Sequence, residues 1–164
     1  MGAIDVGIAA TDRGTRTVAG TTYIAYSNPA NDTGVVTEVQ IFVDTECSAV
    51  EAASFADEGG GVFSTNDTES IAGTYAAGYH ELVSDLDFNS GEYIGFHDSG
   101  GKIEADWSGE PRYYKSGDHI PAASVEFTLS ATASISLYGI GATVAAGVGI
   151  PIAMHHYKQM QGNN

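Results

Sequence analysis

The sequence predicts an all-β fold, an antiparallel β-sandwich or jelly roll followed by a C-terminal apolar, glycine-rich tail, and three observations carry that expectation. Short runs alternate apolar and polar residues with period two. Clusters of Gly, Asn, Asp, Ser and Pro separate the runs at spacings of roughly 8 to 12 residues, as in sandwiches and jelly rolls. Before residue 139 no segment has the periodicity of a long amphipathic helix.

Taken in order, "TTYIAY" (Thr21 to Tyr26) is the first strand candidate. In "TEVQIFV", Val39, Ile41 and Val43 point one way while Glu38 and Gln40 point the other, which predicts a half-buried strand. "VEAASF" (Val50 to Phe55), "YHELVSDL" (Tyr79 to Leu86) and "EYIGFH" (Glu92 to His97) follow. "SVEFTLSA" alternates Val125, Phe127 and Leu129 against Glu126, Thr128 and Ser130, and reads as one continuous strand. "SISLYG" (Ser134 to Gly139) closes the series, and at least eight strands are expected in all. Between them stand "SNPANDTG", "DEGGG", "FNSGE", "DSGGK" and "KSGDHIP", all rich in turn-forming residues.

Composition narrows the function classes. The net charge is −15, from 21 acidic and 6 basic residues, so nucleic acid and anionic membrane surfaces are repelled by the bulk of the protein. Cys47 is the sole cysteine, which excludes an intrachain disulfide and a cysteine-based zinc site. The opening "MGAIDVGIAATDRG" lacks a basic region followed by an apolar run, so no signal peptide is expected. Val6 stands where a myristoylation signal needs Ser or Thr. With 164 residues, one core is the default, burying roughly 70% of the unfolded surface.

The phrases "NPANDTG", "TEVQIFV", "FSTNDTESIAGTYAAGYHE", "LDFNSGEYIGFHDSGGKIEADWSG", "YYKSGDHIP" and "ISLYGIG" occur in that order. Together they resemble a jelly-roll-like β-sandwich module of phage-encoded and environmental surface proteins, over about residues 4 to 141. The resemblance implies a module displayed on a particle or cell exterior, repeated by symmetry, and it supplies no catalytic residues. The tail after Gly141 departs from that module, so two parts are expected: residues 1–141 as the sandwich and 142–164 as an assembly or anchoring tail.

The segment "EADWSGEPRYY" gathers Glu104, Asp106, Trp107, Glu110, Arg112, Tyr113 and Tyr114. Aromatic faces stack on sugar rings and carboxylates accept hydroxyl protons, so this composition suits carbohydrate. The same residues suit a plainer role, with Trp107 and Tyr114 closing one end of the sandwich. Glu104 and Asp106 share a strand face, but nothing singles out a raised-pKa acid, so polysaccharide hydrolysis ranks third. Calcium is the ion that loop carboxylates at Asp85, Asp87 and Asp98 would suit, although no EF-hand loop is present. No other metal site is expected. His97–Asp98, Asp118–His119 and His155–His156 are sequence neighbours whose side chains point apart on a strand. "GFHDSGGK" fails as a phosphate-binding loop, because Phe96 replaces the first glycine and Ile103 follows Lys102. There is no GxSxG either, so no enzyme activity and no organic cofactor are expected. The N-D-T triplets at Asn31 and Asn66 read as turns.

From Phe127 to Tyr157 the chain holds no Asp, Glu, Lys or Arg. Ile135 to Gly141 reads as the last strand, and the remaining apolar run is short for a membrane span. Core strands and a membrane anchor are the alternatives to the preferred expectation, burial between subunits, with Val144, Val148, Ile150, Ile152, Met154 and Tyr157 as contacts. The expected function is that of a non-enzymatic structural protein of a virion or other extracellular assembly, a trimer by analogy with display and fibre proteins. The alternative is a carbohydrate- or receptor-binding module centred on Trp107.

Overall fold

Alternating side chains give each strand one face to bury, and here they build two antiparallel sheets. The computed structural model describes residues 2–143. The tail candidates Val144, Val148, Ile150, Ile152, Met154 and Tyr157 lie outside the described residues. In chain order the strands are β1 (Ala3–Ile8), β2 (Thr15–Arg16), β3 (Thr21–Ala25), β4 (Gly34–Thr45), β5 (Val50–Gly59), β6 (Val62–Ile71) and β7 (Gly78–Phe88). They continue as β8 (Tyr93–His97), β9 (Lys102–Ala105), β10 (Arg112–Ser116), β11 (Val125–Glu126), β12 (Thr128–Ser130) and β13 (Leu137–Thr143). Among the described residues there is no helix. The fold is the all-β sandwich that the alternation predicts.

The six-stranded first sheet has the order β1-β13-β4-β9-β2, with β7 also paired to β4. The seven-stranded second sheet has the order β11-β6-β5-β8-β3-β10-β12. The main core lies between them, with Ile4, Val6, Val39, Ile41, Leu82 and Leu86 of the first sheet against Ala52, Ile94 and Phe96 of the second. Val39, Ile41 and Val43 of β4 are all buried, as their period-two spacing requires.

The second sheet differs from the expectation in one place with large consequences. The run Val125–Ser130 is two short strands, not one: β11 pairs with β6 at one edge and β12 pairs with β10 at the other. Consecutive residues therefore join the two edges, and the sheet curls round on itself. Phe127 sits at the join, donates its N–H to Gly61 O (2.8 Å) and turns its ring into the enclosed space. There Phe55 and Phe63 meet it edge to face, each at 5.8 Å between centroids. Ile24, Ala53, Ile120 and Ala122 complete this second core. Gly95 is required beside it, because a Cβ there would enter the Phe55 ring. Burying each such ring stabilises the fold by roughly 2–3 kcal/mol. Leu129, expected inside with Val125 and Phe127, is instead 49% exposed, because the break at Phe127 interrupts the alternation.

Sheet edges are covered by polar side chains and loops. Asp85 N and Asp87 N on β7 donate to Glu69 and Asp67 of β6, at 3.0 and 2.9 Å. On β1, Asn31 exchanges bonds with Asp5 N and Ala3 O. Such charged and looped edges leave little template for strand addition. The last strand, β13, runs to Thr143, beyond the expected limit at Gly141, since Ala142 pairs with both Ala3 and Val35.

Candidate functional site

The site grows from the alternation of β10. Arg112, Tyr114 and Ser116 face one side and Tyr113 the other. Tyr113 enters the second core, at 4.8 Å from Phe63 and 4.7 Å from Tyr26 between ring centroids. Pairing with β3 sets Tyr114 opposite Tyr23, and pairing with β12 sets Arg112 opposite Ser130. Tyr23, Arg112, Tyr114, Ser130, Val18 and Trp107 line a pocket of about 320 Å3.

Trp107 reaches this pocket from the loop after β9, which is held tightly. Asp106 N donates to Ser134 O (3.1 Å), Ser108 N to Asp106 Oδ1 (3.0 Å) and Glu110 N to Ser134 Oγ (2.7 Å). Gly109 adopts φ +106°, and a side chain there would meet Ser134 Oγ. The indole on this loop is 65% exposed. Its other side borders a second depression of about 440 Å3, with Glu104, Arg16 and Asp44.

Arg112 lies between the two aromatic groups, its guanidinium 5.0 Å from the Tyr23 ring centroid and 5.2 Å from that of Trp107. It is only 3% exposed. Nε and Nη1 are buried and, among the described residues, have no hydrogen-bond partner. Burial pulls its pKa below the ordinary value, while Tyr23, Tyr114 and Asp106 push the other way, and an arginine remains cationic at neutral pH. A buried charge without an acceptor costs several kcal/mol, of which two cation–π contacts recover roughly 1–4 kcal/mol.

The carboxylates of the same segment are committed elsewhere. Asp106 Oδ2 accepts from Arg13 Nη1 (3.3 Å) and Glu104 Oε2 accepts from Arg13 N (3.3 Å). They anchor the loop before β2 and do not face Arg112's pocket. Glu110 is exposed. Trp107, Arg112 and Tyr114 thus share one pocket, whereas Glu104, Asp106 and Tyr113 serve the framework around it. Tyr23 and Ser130 had no signal in the sequence, because only strand pairing brings them there.

The three aspartates considered for calcium do not converge. Asp85 and Asp87 are exposed on β7 in the first sheet. Asp98 is 2% exposed just after β8, and accepts from the N–H groups of Ser48, Ala49, Gly100 and Gly101. Four donors occupy its two oxygens, which makes it the pin of this turn. Nearby Cys47 is fully buried, and burial, with Asp98 adding to it, pushes its thiol up to about 12, so thiolate chemistry is suppressed at neutral pH.

No protein-family model, no curated protein and no solved structure matches the chain.

Proposed function

We propose that the chain is a non-enzymatic binding module for acidic saccharides. The observation that carries this reading is the buried, charged Arg112 guanidinium, whose Nε and Nη1 have no acceptor among the described residues, in a pocket walled by Trp107, Tyr23 and Tyr114. A sugar carboxylate entering the pocket is a charge-assisted partner for this guanidinium, and such bonds to arginine are among the strongest of their kind. The apolar face of the sugar ring lies on the exposed indole and phenol, an arrangement suited to aromatic stacking. The net charge of −15 shapes the choice of ligand. Fields beyond about 8–10 Å are screened at physiological salt, so one carboxylate seated on Arg112 is tolerated while a long polyanion meets repulsion.

The test is a glycan array probed with the wild-type chain, Trp107→Ala and Arg112→Met. Retention of uronic- or sialic-acid glycans by the wild type alone is the expected result. Equal retention by all three chains, or retention of neutral glycans only, overturns the reading.

A second reading concerns where the module works, and the apolar sequence after β13 favours it. Strand β13 lies between β1 and β4, and its last residue, Thr143, donates its N–H to Gly2 O. In this reading the module is a surface component of a virion or other extracellular assembly, and residues 144–164 hold copies together, as trimers. Because Ala142 and Thr143 are paired in β13, the informative deletion starts at residue 144. A multimer by light scattering that becomes a monomer on deletion is expected; one unchanged state in both chains removes the role of the tail.

A further inference from the structure

A different cluster lies at the opening beside the Asp98 turn. Glu51 on β5 and His97 on β8 are directly opposite each other in the β5–β8 ladder, so their side chains are neighbours on one face. Asp118 comes from a third element, the turn after β10. His97 Nδ1 stands 3.0 Å from Glu51 Oε2 and 3.9 Å from Asp118 Oδ1. One ligand-type atom from each residue falls within 4.8 Å of the other two. A metal ion with bonds of about 2.0–2.2 Å needs its ligand atoms roughly 3–3.5 Å apart, so closing the set takes shifts of about an ångström.

We propose that Glu51, His97 and Asp118 bind a divalent first-row transition-metal ion, with zinc as the probe. Each ligand is held in a different way. His97 is 6% exposed, which fixes its ring. Asp118 Oδ1 accepts the Ile120 N–H at 2.9 Å, which orients its carboxylate. Glu51 is fixed by its place in the ladder. Two carboxylates and a neutral imidazole carry two negative charges, which a divalent cation neutralises. The imidazole favours zinc, copper, iron or nickel over calcium and magnesium, which prefer all-oxygen shells. All three residues line a pocket of about 410 Å3 that also contains Ser48 and Ser99. Three protein ligands would leave a tetrahedral ion one position open for water or another ligand. The sequence hid this set because it points to His97–Asp98 and Asp118–His119 as pairs, whereas the cluster takes one member from each and a third from β5.

The test uses the full chain carrying His155→Ala and His156→Ala, so that the sequence's histidine pair cannot take up metal. The protein is stripped with a chelator and titrated calorimetrically with zinc chloride and, separately, calcium chloride. One zinc per chain is expected, bound at least about 10-fold more tightly than calcium and weakened by about 10–100-fold or more in Asp118→Asn and His97→Gln. The Asp118 side chain is 50% exposed, so this variant keeps the test decisive even where the His97 change disturbs folding. No zinc uptake, or uptake unchanged in Asp118→Asn, overturns the proposal.

Discussion

Arg13 and Arg112 are the same side chain in two electrostatic situations. Arg13, 14% exposed at its side chain, donates to Ser136 Oγ (2.9 Å), Asp106 Oδ2 (3.3 Å) and Ala9 O (2.8 Å). Arg112, more deeply buried, has two nitrogens with no partner at all among the described residues. The loop between β9 and β10 explains the difference, since its carboxylate Asp106 is turned towards Arg13. One arginine is a structural clamp, and the other keeps two buried nitrogens without an internal acceptor among the described residues. The general lesson is that burial alone does not assign a charge to stability; its acceptors do.

The contrast can be broken from either side. The largest effect is expected for Arg13→Met, which removes a guanidinium holding three acceptors and leaves Asp106 without its cation. Urea unfolding should show a loss of about 3 kcal/mol. Arg112→Met should do the opposite, leaving stability unchanged or raised by up to about 2 kcal/mol while acidic-glycan affinity falls about 100-fold. A loss of stability matching that of Arg13→Met would place Arg112 among the structural residues.

Ser130→Asp sharpens the same comparison by supplying an internal acceptor opposite Arg112 in the β10–β12 ladder. It should raise stability by less than about 1 kcal/mol and weaken ligand binding about 10-fold or more, because the new carboxylate competes for the guanidinium. Binding that survives intact would mean the ligand does not use Arg112. The smallest change is expected for Trp107→Ala. Its indole is largely exposed, so unfolding should shift by about 1 kcal/mol or less, while affinity measured by calorimetry drops about 10-fold through lost stacking.

Much of the framework could be read from local pattern, and the exceptions have physical causes. β7 alternates cleanly, and β4 does so from Glu38 to Val43, beyond a bulge between Val36 and Glu38, because one face of each meets the main core. β6 carries Asn66, Asp67, Thr68 and Glu69, which suggest a turn, yet Asp67 and Glu69 work as acceptors for the β7 edge. The division of Val125–Ser130 between two edges follows from closure of the second sheet, which no local pattern encodes. For the site, the aromatic and basic residues lie together in the sequence, but which of them face the pocket depends on the phase of β10. That phase sends Tyr113 into the second core and Arg112 and Tyr114 to the pocket. Tyr23 and Ser130 arrive only through non-local pairing.

Trp107 is the sole tryptophan, so all tryptophan fluorescence comes from a wall of this pocket. The most direct measurement titrates the wild-type chain with a uronic-acid disaccharide and with its methyl ester. A saturable change with the acid, absent with the ester and absent in Arg112→Met, is the predicted result. An equal response to acid and ester, or no response to either, would contradict the assignment of Arg112 as the anchor of an acidic ligand.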